Sequence, residues 1–220
     1  MRYSIPILSL FISTAQAHSN GTQFKQWKFV RDVAGSDDGE KPEGNVYYAG
    51  AIPQTDIYST NFTCGRLAID SAKKTETADV IAGTEVGFRV NQGGEDSDGA
   101  EYFKIAQLAQ ISDNEWFVND YNHRIVNFTI PATTPPGKYL LRFEQFWPSQ
   151  KFKMTQFFIN CAQVNIIGPG GGNMEGYSFA KFPGAYNYTD PGLQGNEGMY
   201  KYPREGLSRY VAPGPAVWKG

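Results

Sequence analysis

Histidine, the residue that most often binds copper, is scarce in this chain. Only His18 and His123 occur among 220 residues. Residues 5–15 form an apolar run behind a short basic start, and Ala15-Gln16-Ala17 has the small-x-small form of a signal-peptidase site. Cleavage after Ala17 would make His18 the first residue, and its α-amine and imidazole could together chelate one copper ion. A second histidine would complete such a site, because imidazole suits copper well.

Carboxylates offer a second kind of chemistry. Glu95, Asp96 and Asp98 lie in one Gly-rich stretch and could serve as the acid and base of a glycosidase, or as calcium ligands. A solvated acidic loop is the simpler interpretation of this stretch. Residues 170–172 are three glycines that follow a strand-like run and open no helix, so they do not predict a phosphate-binding loop.

Composition and charge exclude some classes of protein. The net charge of −2 becomes −3 once Arg2 leaves with the signal segment, and no Lys/Arg cluster is present, so we predict no nucleic-acid partner. The run at residues 5–15 is too short to span a bilayer, and no later stretch is apolar enough, so we predict no membrane span. We expect a secreted, monomeric, extracellular protein.

The cysteines and the sequons agree with secretion. Cys64 and Cys161 fit one disulfide in an oxidising compartment. Glycosylation sequons begin at four asparagines: Asn20, Asn61, Asn127 and Asn187. Asn61 lies close to Cys64 and Asn127 enters a predicted strand, which weighs against modification of those two.

Short strand patterns dominate the chain. Strands are predicted at residues 26–31, 79–90 (with a turn inside), 102–108, 125–130, 138–144 and 155–167. Many short strands joined by turns favour an all-β antiparallel β-sandwich, with residues 18–220 forming one domain.

The Gly-, Pro- and Tyr-rich segment after residue 172 holds too many aromatic residues for a solvated tail. We therefore predict a long C-terminal loop packed over the sandwich. The aromatic residues that support this prediction are Phe182, Tyr186, Tyr200, Tyr202, Tyr210 and Trp218.

Several motifs, in order and spacing, resemble a known family. They are the segments at 128–131 (Phe-Thr-Ile-Pro), 136–144, 156–163, 182–186, 189–192 and 210–218. Together they resemble the fungal lytic polysaccharide monooxygenases of auxiliary activity family 9, formerly glycoside hydrolase family 61. The resemblance implies an immunoglobulin/fibronectin-like sandwich with a flat face and long loops, and it pairs Cys64 with Cys161. It also implies copper held by the N-terminal His and a second His, with an axial Tyr, and with a His and a Gln around them.

Carried over to this sequence, the copper site is incomplete. Gln156 matches the family Gln, but Phe158 stands where the axial Tyr is expected, and residues 94–100 contain no His for the second ligand position. The other family His falls near residues 147–149, which are Trp-Pro-Ser. A different start is also open: residues 2–10 could be the first strand, which would place Arg2 where the N-terminal His normally stands.

Two functions follow from the resemblance. The main prediction is a secreted family member with a degraded copper site and no cofactor, which binds polysaccharide or cell-wall glycan without oxidising it. Tyr200, Tyr202 and Tyr210 are its candidate contact residues. The alternative is a copper-dependent monooxygenase that cleaves cellulose or hemicellulose, with His18 as a ligand and Asp96 or Asp98 as a partner. His123 is expected to be a surface residue.

Overall fold

The computed structural model describes residues 11–12, 29–31, 53–89, 101–117 and 125–220, with the backbone alone for residues 11–12, 87–89 and 125. Eight strands, one short α-helix and several 3-10 helices lie in these ranges. The strands are β1 (Phe11–Ile12), β2 (Ala78–Ile81), β3 (Glu85–Arg89), β4 (Glu101–Tyr102), β5 (Ile125–Thr129), β6 (Gly137–Trp147), β7 (Gln156–Ile167) and β8 (Ala180–Lys181). The α-helix is α1 (Ala68–Ser71), and the 3-10 helices span Thr60–Phe62, Pro191–Leu193, Glu197–Tyr200 and Leu207–Arg209.

The antiparallel pair of β6 and β7 is the longest element of the fold. Its register runs from Gly137 opposite Ile166 to Trp147 opposite Gln156. β2 extends this sheet on the far side of β7, while β3 pairs with β1 and β5 in a second sheet, and β4 pairs with β8. Two pairings, β1 with β3 and β2 with β7, are parallel, which the sequence patterns did not predict. Pairings between strands so distant in sequence are set by packing rather than by a hairpin turn.

The two faces of β7 serve two different cores. Val164 and Ile166 pack with Val80 of β2, Val86 of β3 and Ile130, which directly follows β5. Two further side chains, Phe157 and Ile159, project from the opposite face, because side chains alternate along a strand. They pack with Ile57, Phe62, Phe182, Tyr186 and Leu193.

The second cluster confirms that the C-terminal segment packs on the sheet. Phe182, Tyr186, Leu207 and Trp218 are at most 7% exposed. At 25 cal/mol per Å², each aromatic ring buried in this way stabilises the fold by roughly 2–3 kcal/mol. The loop is therefore part of the core rather than a tail.

Most strand predictions are confirmed, and one is wrong. The patterns at 79–90, 125–130, 138–144 and 155–167 coincide with β2 and β3, β5, β6 and β7, although β6 continues to Trp147. Of the strand predicted at 102–108, only Tyr102 lies in a ladder. The backbone of Lys104 bonds instead to the C-terminal loop, through its N–H to the Tyr177 hydroxyl (2.8 Å) and its carbonyl to the Trp218 N–H (2.7 Å).

The structure describes only a few of the residues on which the N-terminal predictions fall. Of residues 26–31, the structure describes 29–31, where Val30 forms an antiparallel bridge with Ala162. β1 lies inside the predicted signal segment and just beyond the alternative first strand at 2–10. The signal segment, the alternative start and the domain bounds 18–220 stay predictions. Within the described ranges, no helix has the length and hydrophobicity needed to cross a membrane.

Candidate functional site

The end of the β6–β7 pair where β6 stops and β7 starts, residues 147–156, is called here the hairpin end. Thr155 fixes its geometry from inside. The buried Thr155 hydroxyl donates to the Leu193 carbonyl (2.6 Å) and accepts from the Ser149 N–H (3.0 Å). Ser149 also forms a parallel bridge with Gln194, so the C-terminal loop is tied to this end of the sheet.

The structure brings several predicted site positions together at the hairpin end. Gln156 is exposed and pairs with Trp147, and Phe158 follows on the same face, half-buried. The tripeptide Trp-Pro-Ser at 147–149, where the resemblance predicts a His, therefore lies beside Gln156. A phenyl ring has no lone pair for a metal, so Phe158 cannot act as an axial ligand.

The other predicted ligands and carboxylates cannot be placed by the structure. Outside the described residues lie His18, His123, Asn20, Glu95, Asp96 and Asp98. Among the residues that are described, no group of three or more His, Cys, Asp or Glu side chains could hold a metal ion. The described donor set therefore does not by itself fit a copper ion, and no metal chemistry is assigned to these residues.

The three tyrosines predicted to contact polysaccharide lie in different environments. Tyr202 is 97% exposed, and Tyr200 is 40% exposed. The Tyr200 hydroxyl donates to the Pro148 carbonyl, and its ring meets Trp147 edge-on at 6.3 Å between centroids. Tyr210 is half-buried: its hydroxyl donates to the Gly192 carbonyl (3.0 Å), and burial raises its pKa. Tyr200 thus lies at the hairpin end and Tyr202 is open to solvent, whereas Tyr210 is half-buried and bonded to another part of the C-terminal loop.

A second aromatic group escaped the sequence analysis. Tyr58 (54% exposed) and Phe152 (58% exposed) flank Tyr188, with ring centroids 5.4 and 5.9 Å from it. The Lys153 ammonium lies 5.1 Å from the Tyr188 centroid. No sequence signal could have found this group, because Tyr58, Phe152 and Tyr188 lie in three segments that are distant in sequence and meet only in the folded chain.

A buried charged network lies on β6. The Arg142 guanidinium and the Glu144 carboxylate approach to 2.7 Å with side chains only 7% and 10% exposed. Glu144 accepts a hydrogen bond from the Tyr186 hydroxyl (2.8 Å), and burial together with Glu144 raises the pKa of Tyr186 well above its ordinary value. Burial lowers the pKa of Lys104, which donates to the Pro213 carbonyl (2.9 Å). The Tyr186–Glu144 bond holds the C-terminal loop against β6, and the Lys104–Pro213 bond holds it against the segment after β4.

Arg142 also reaches the chain before the disulfide. Its Nε donates to the Thr63 carbonyl (2.7 Å) and its Nη2 to the Phe62 carbonyl (3.1 Å). Next in sequence, Cys64 is bonded to Cys161 with a Cα–Cα distance of 5.4 Å, which confirms the predicted disulfide. Both cysteines are fully buried.

Comparisons with known proteins agree with this architecture. The family profile "Auxiliary Activity family 9 (formerly GH61)" matches residues 92–205. The chain is 44% identical to AA9 family lytic polysaccharide monooxygenase U of Thermothielavioides terrestris, over 91% of this chain and 89% of the relative. It is 33% identical to AA9 family lytic polysaccharide monooxygenase D of Phanerodontia chrysosporium, over 91% of this chain and 88% of the relative.

Solved structures lead to the same fold. The crystal structure of HiLPMO9B superposes with a TM-score of 0.59 at 26% identity, covering 76% of this chain and 84% of that one. The extended catalytic domain of H. jecorina LPMO9A gives a TM-score of 0.64 at 21% identity, over 87% of this chain and 79% of that chain, and shows the fold alone. The predicted all-β sandwich is confirmed.

The two relatives align with about nine-tenths of the chain, and both are named AA9 family lytic polysaccharide monooxygenase. The predicted degradation of the copper site and the non-oxidative role are not shown, and the comparisons favour the monooxygenase alternative. Because relatives above 30% identity align along nine-tenths of its length, this chain belongs to Auxiliary Activity family 9.

Proposed function

We propose that this chain is a secreted, monomeric protein that acts on cellulose or hemicellulose as a copper-dependent lytic polysaccharide monooxygenase. The observation that carries the proposal is the 44% identity to a protein named as such a monooxygenase, along 91% of the chain. A disulfide in the core supports an oxidising, extracellular location, because such bonds are rare in the cytosol.

The described residues would contribute a contact surface for the polysaccharide. Trp147 and Tyr200 are exposed at the hairpin end beside Gln156, which the resemblance aligns with the family Gln, and Tyr202 is exposed two positions after Tyr200. Aromatic side chains present large, rigid apolar faces that lose little entropy on binding, and sugar rings offer matching apolar C–H faces. Copper would depend on His18 and on a further ligand outside the described residues, for which Asp96 and Asp98 are the candidates.

Copper stoichiometry and product analysis test the oxidative function. The secreted protein is loaded with Cu(II), desalted, assayed for bound metal and incubated with cellulose and a reductant. One tightly bound copper and oxidised oligosaccharides are expected. His18→Ala should abolish both, whereas the matched variant His123→Ala should retain both. A protein that binds no copper and releases no oxidised products would refute the oxidative function.

A second function, polysaccharide binding without oxidation, is favoured by Phe158. The resemblance aligns this residue with the family's axial Tyr, but phenylalanine has no oxygen, and residues 147–149, which it aligns with a His, have no imidazole. A protein with this function should be retained on cellulose, xylan or chitin, and it should neither bind copper nor release oxidised products. The same experiment therefore separates the two functions.

Tyr202 provides a test of the contact surface that is independent of copper. Its side chain is almost fully exposed, so Tyr202→Ala should lower the fraction of protein retained on cellulose while leaving the melting temperature unchanged. The matched control is Phe179→Ala, which removes another exposed ring (40%) that belongs to neither aromatic group. Equal retention of the Tyr202→Ala variant and the parent would exclude Tyr202 as a contact.

A further inference from the structure

The loop around Asn187 is held by the two tyrosines on either side of it. Tyr186 is buried and donates to Glu144, while the Tyr188 hydroxyl donates to the Thr55 carbonyl (3.0 Å) and accepts from the Ile57 N–H (3.3 Å). Asn187 and Thr189 alternate with these anchors and are both exposed. The fold thus presents this Asn-Tyr-Thr triplet to solvent on a fixed loop.

The side chains of the triplet are already arranged around the asparagine amide. Asn187 Oδ1 accepts hydrogen bonds from the Thr189 N–H (3.0 Å) and from the Thr189 hydroxyl (2.8 Å). The turn is closed by Asp190, whose N–H donates to the Asn187 carbonyl (2.9 Å) and whose carboxylate accepts from the Asn187 N–H (3.0 Å). In the described part of the chain, no acceptor engages Asn187 Nδ2, so this nitrogen is open to a reagent.

These contacts are local, which matters for the time at which modification occurs. Every hydrogen bond of the turn joins residues two or three positions apart, so the turn can form before the rest of the chain has folded. The folded loop then leaves room for an attached group, because Asn187 and Thr189 stay at the surface.

We propose that Asn187 carries an N-linked glycan. The donor would be a lipid-linked oligosaccharide pyrophosphate of the secretory pathway. A bond forms between C1 of the first sugar and Asn187 Nδ2, and the bond from C1 to the pyrophosphate oxygen breaks. The electron pair of the broken bond leaves with the lipid pyrophosphate, and the proton lost by the amide nitrogen passes to solvent. No oxidation or reduction takes place, and the modification does not depend on the proposed copper chemistry.

Two other sequons lie in settings that do not suit the modification. Asn61 is half-buried, its Oδ1 accepts from the Leu67 N–H (3.2 Å), and its sequon partner Thr63 is 0% exposed beside the buried Cys64. A glycan at Asn61 would be attached to a half-buried residue that borders the buried core. We infer that Asn61 stays unmodified in the folded, secreted protein.

Asn127 is exposed but lies in the middle of β5, opposite Gly87 of β3. Its Nδ2 donates to Glu85 Oε1 (3.2 Å), and the extended strand keeps the Thr129 hydroxyl away from a turn around the amide. Asn127 is therefore a weaker acceptor than Asn187.

Peptide mapping of the secreted full chain tests the proposal. The chain is expressed in yeast behind the host's secretion leader, treated with an N-glycosidase in heavy-oxygen water, and mapped by mass spectrometry. The peptide with Asn187 should carry heavy-oxygen aspartate, and the peptide with Asn61 should not. Asn187→Gln and Thr189→Ala should each remove one glycan from the intact mass, while Thr189→Ser should keep it.

The outcomes separate loss of a glycan from loss of the fold. Asn61→Gln serves as the matched control and should leave the intact mass unchanged except for the substitution itself. Secretion of Asn187→Gln with an intact Cys64–Cys161 bond shows that the variant folds. An unmodified Asn187 in the secreted parent protein, or an Asn61 glycosylated as fully as Asn187, would overturn the proposal.

Discussion

Replacement of Arg142 by methionine is the most informative test of how the C-terminal loop is held. The substitution removes the cation that lies 2.7 Å from Glu144 and the two donors that serve the carbonyls of Phe62 and Thr63. It also removes the guanidinium that lies 3.8 Å from the centre of the Phe182 ring. Methionine keeps an unbranched side chain of similar length, so the loss is chiefly one of charge and hydrogen bonds.

The size of the expected loss in folding free energy follows from the burial of the Arg142–Glu144 ion pair. Both side chains of the pair are at most 10% exposed, and among the described residues Glu144 Oε2 receives no hydrogen bond of normal geometry, so the arginine charge is its compensation. Removing one partner of a buried ion pair costs about 3–5 kcal/mol, because an uncompensated charge remains inside. This is a large fraction of the roughly 5–15 kcal/mol by which a domain is stable.

The matched control is an ion pair of similar length at the surface. Lys181 lies 2.9 Å from Glu101, but these side chains are 65% and 56% exposed. Lys181→Met should therefore change the free energy of unfolding by no more than about 1 kcal/mol. The comparison isolates burial, since the two distances differ by little.

Urea unfolding at neutral pH, followed by tryptophan fluorescence, measures both variants. Arg142→Met should lower the urea midpoint strongly while the dependence of the unfolding free energy on urea concentration stays unchanged. Lys181→Met should hardly shift the midpoint. The double variant Arg142→Met/Glu144→Leu should recover much of the loss, because no buried charge is left. Equal effects of Arg142→Met and Lys181→Met would refute the reasoning.

Three further predictions concern stability. Replacing both Cys64 and Cys161 by alanine should lower the free energy of unfolding by about 4–5 kcal/mol, measured in urea, because the bond closes a long loop with a sequence separation of 97. Tyr186 and Tyr210 have raised pKa values in the folded state, so stability should be complete below about pH 10 and fall as the pH rises further, with their phenolate absorbance appearing on unfolding. Gly192→Ala should destabilise by about 1–3 kcal/mol in thermal melts, since an added Cβ would lie 2.5 Å from a backbone carbonyl of the loop that crosses it.

Local sequence patterns predicted much of the fold. The alternation along residues 155–167 reflects the pleat of β7, and the Pro-Gly at 136–137 marks the start of β6. Two cysteines allow only one intramolecular pairing, so the disulfide followed from composition. The excess of aromatic residues after residue 172 required a packed loop, because such a segment gains too much from burial to stay in solvent.

The tertiary structure decided what each aromatic or charged residue does. Tyr200, Tyr202 and Tyr210 look alike in the sequence, yet Tyr202 is 97% exposed and Tyr210 is half-buried with its hydroxyl bonded to the Gly192 carbonyl. The sequence around Lys104 resembles that of a strand, but the hydrogen bonds of the Lys104 backbone go to the C-terminal loop. Periodicity reports which side chains share a face of a strand. Which chain segment then covers that face depends on contacts between residues distant in sequence, and local patterns carry no information about those contacts.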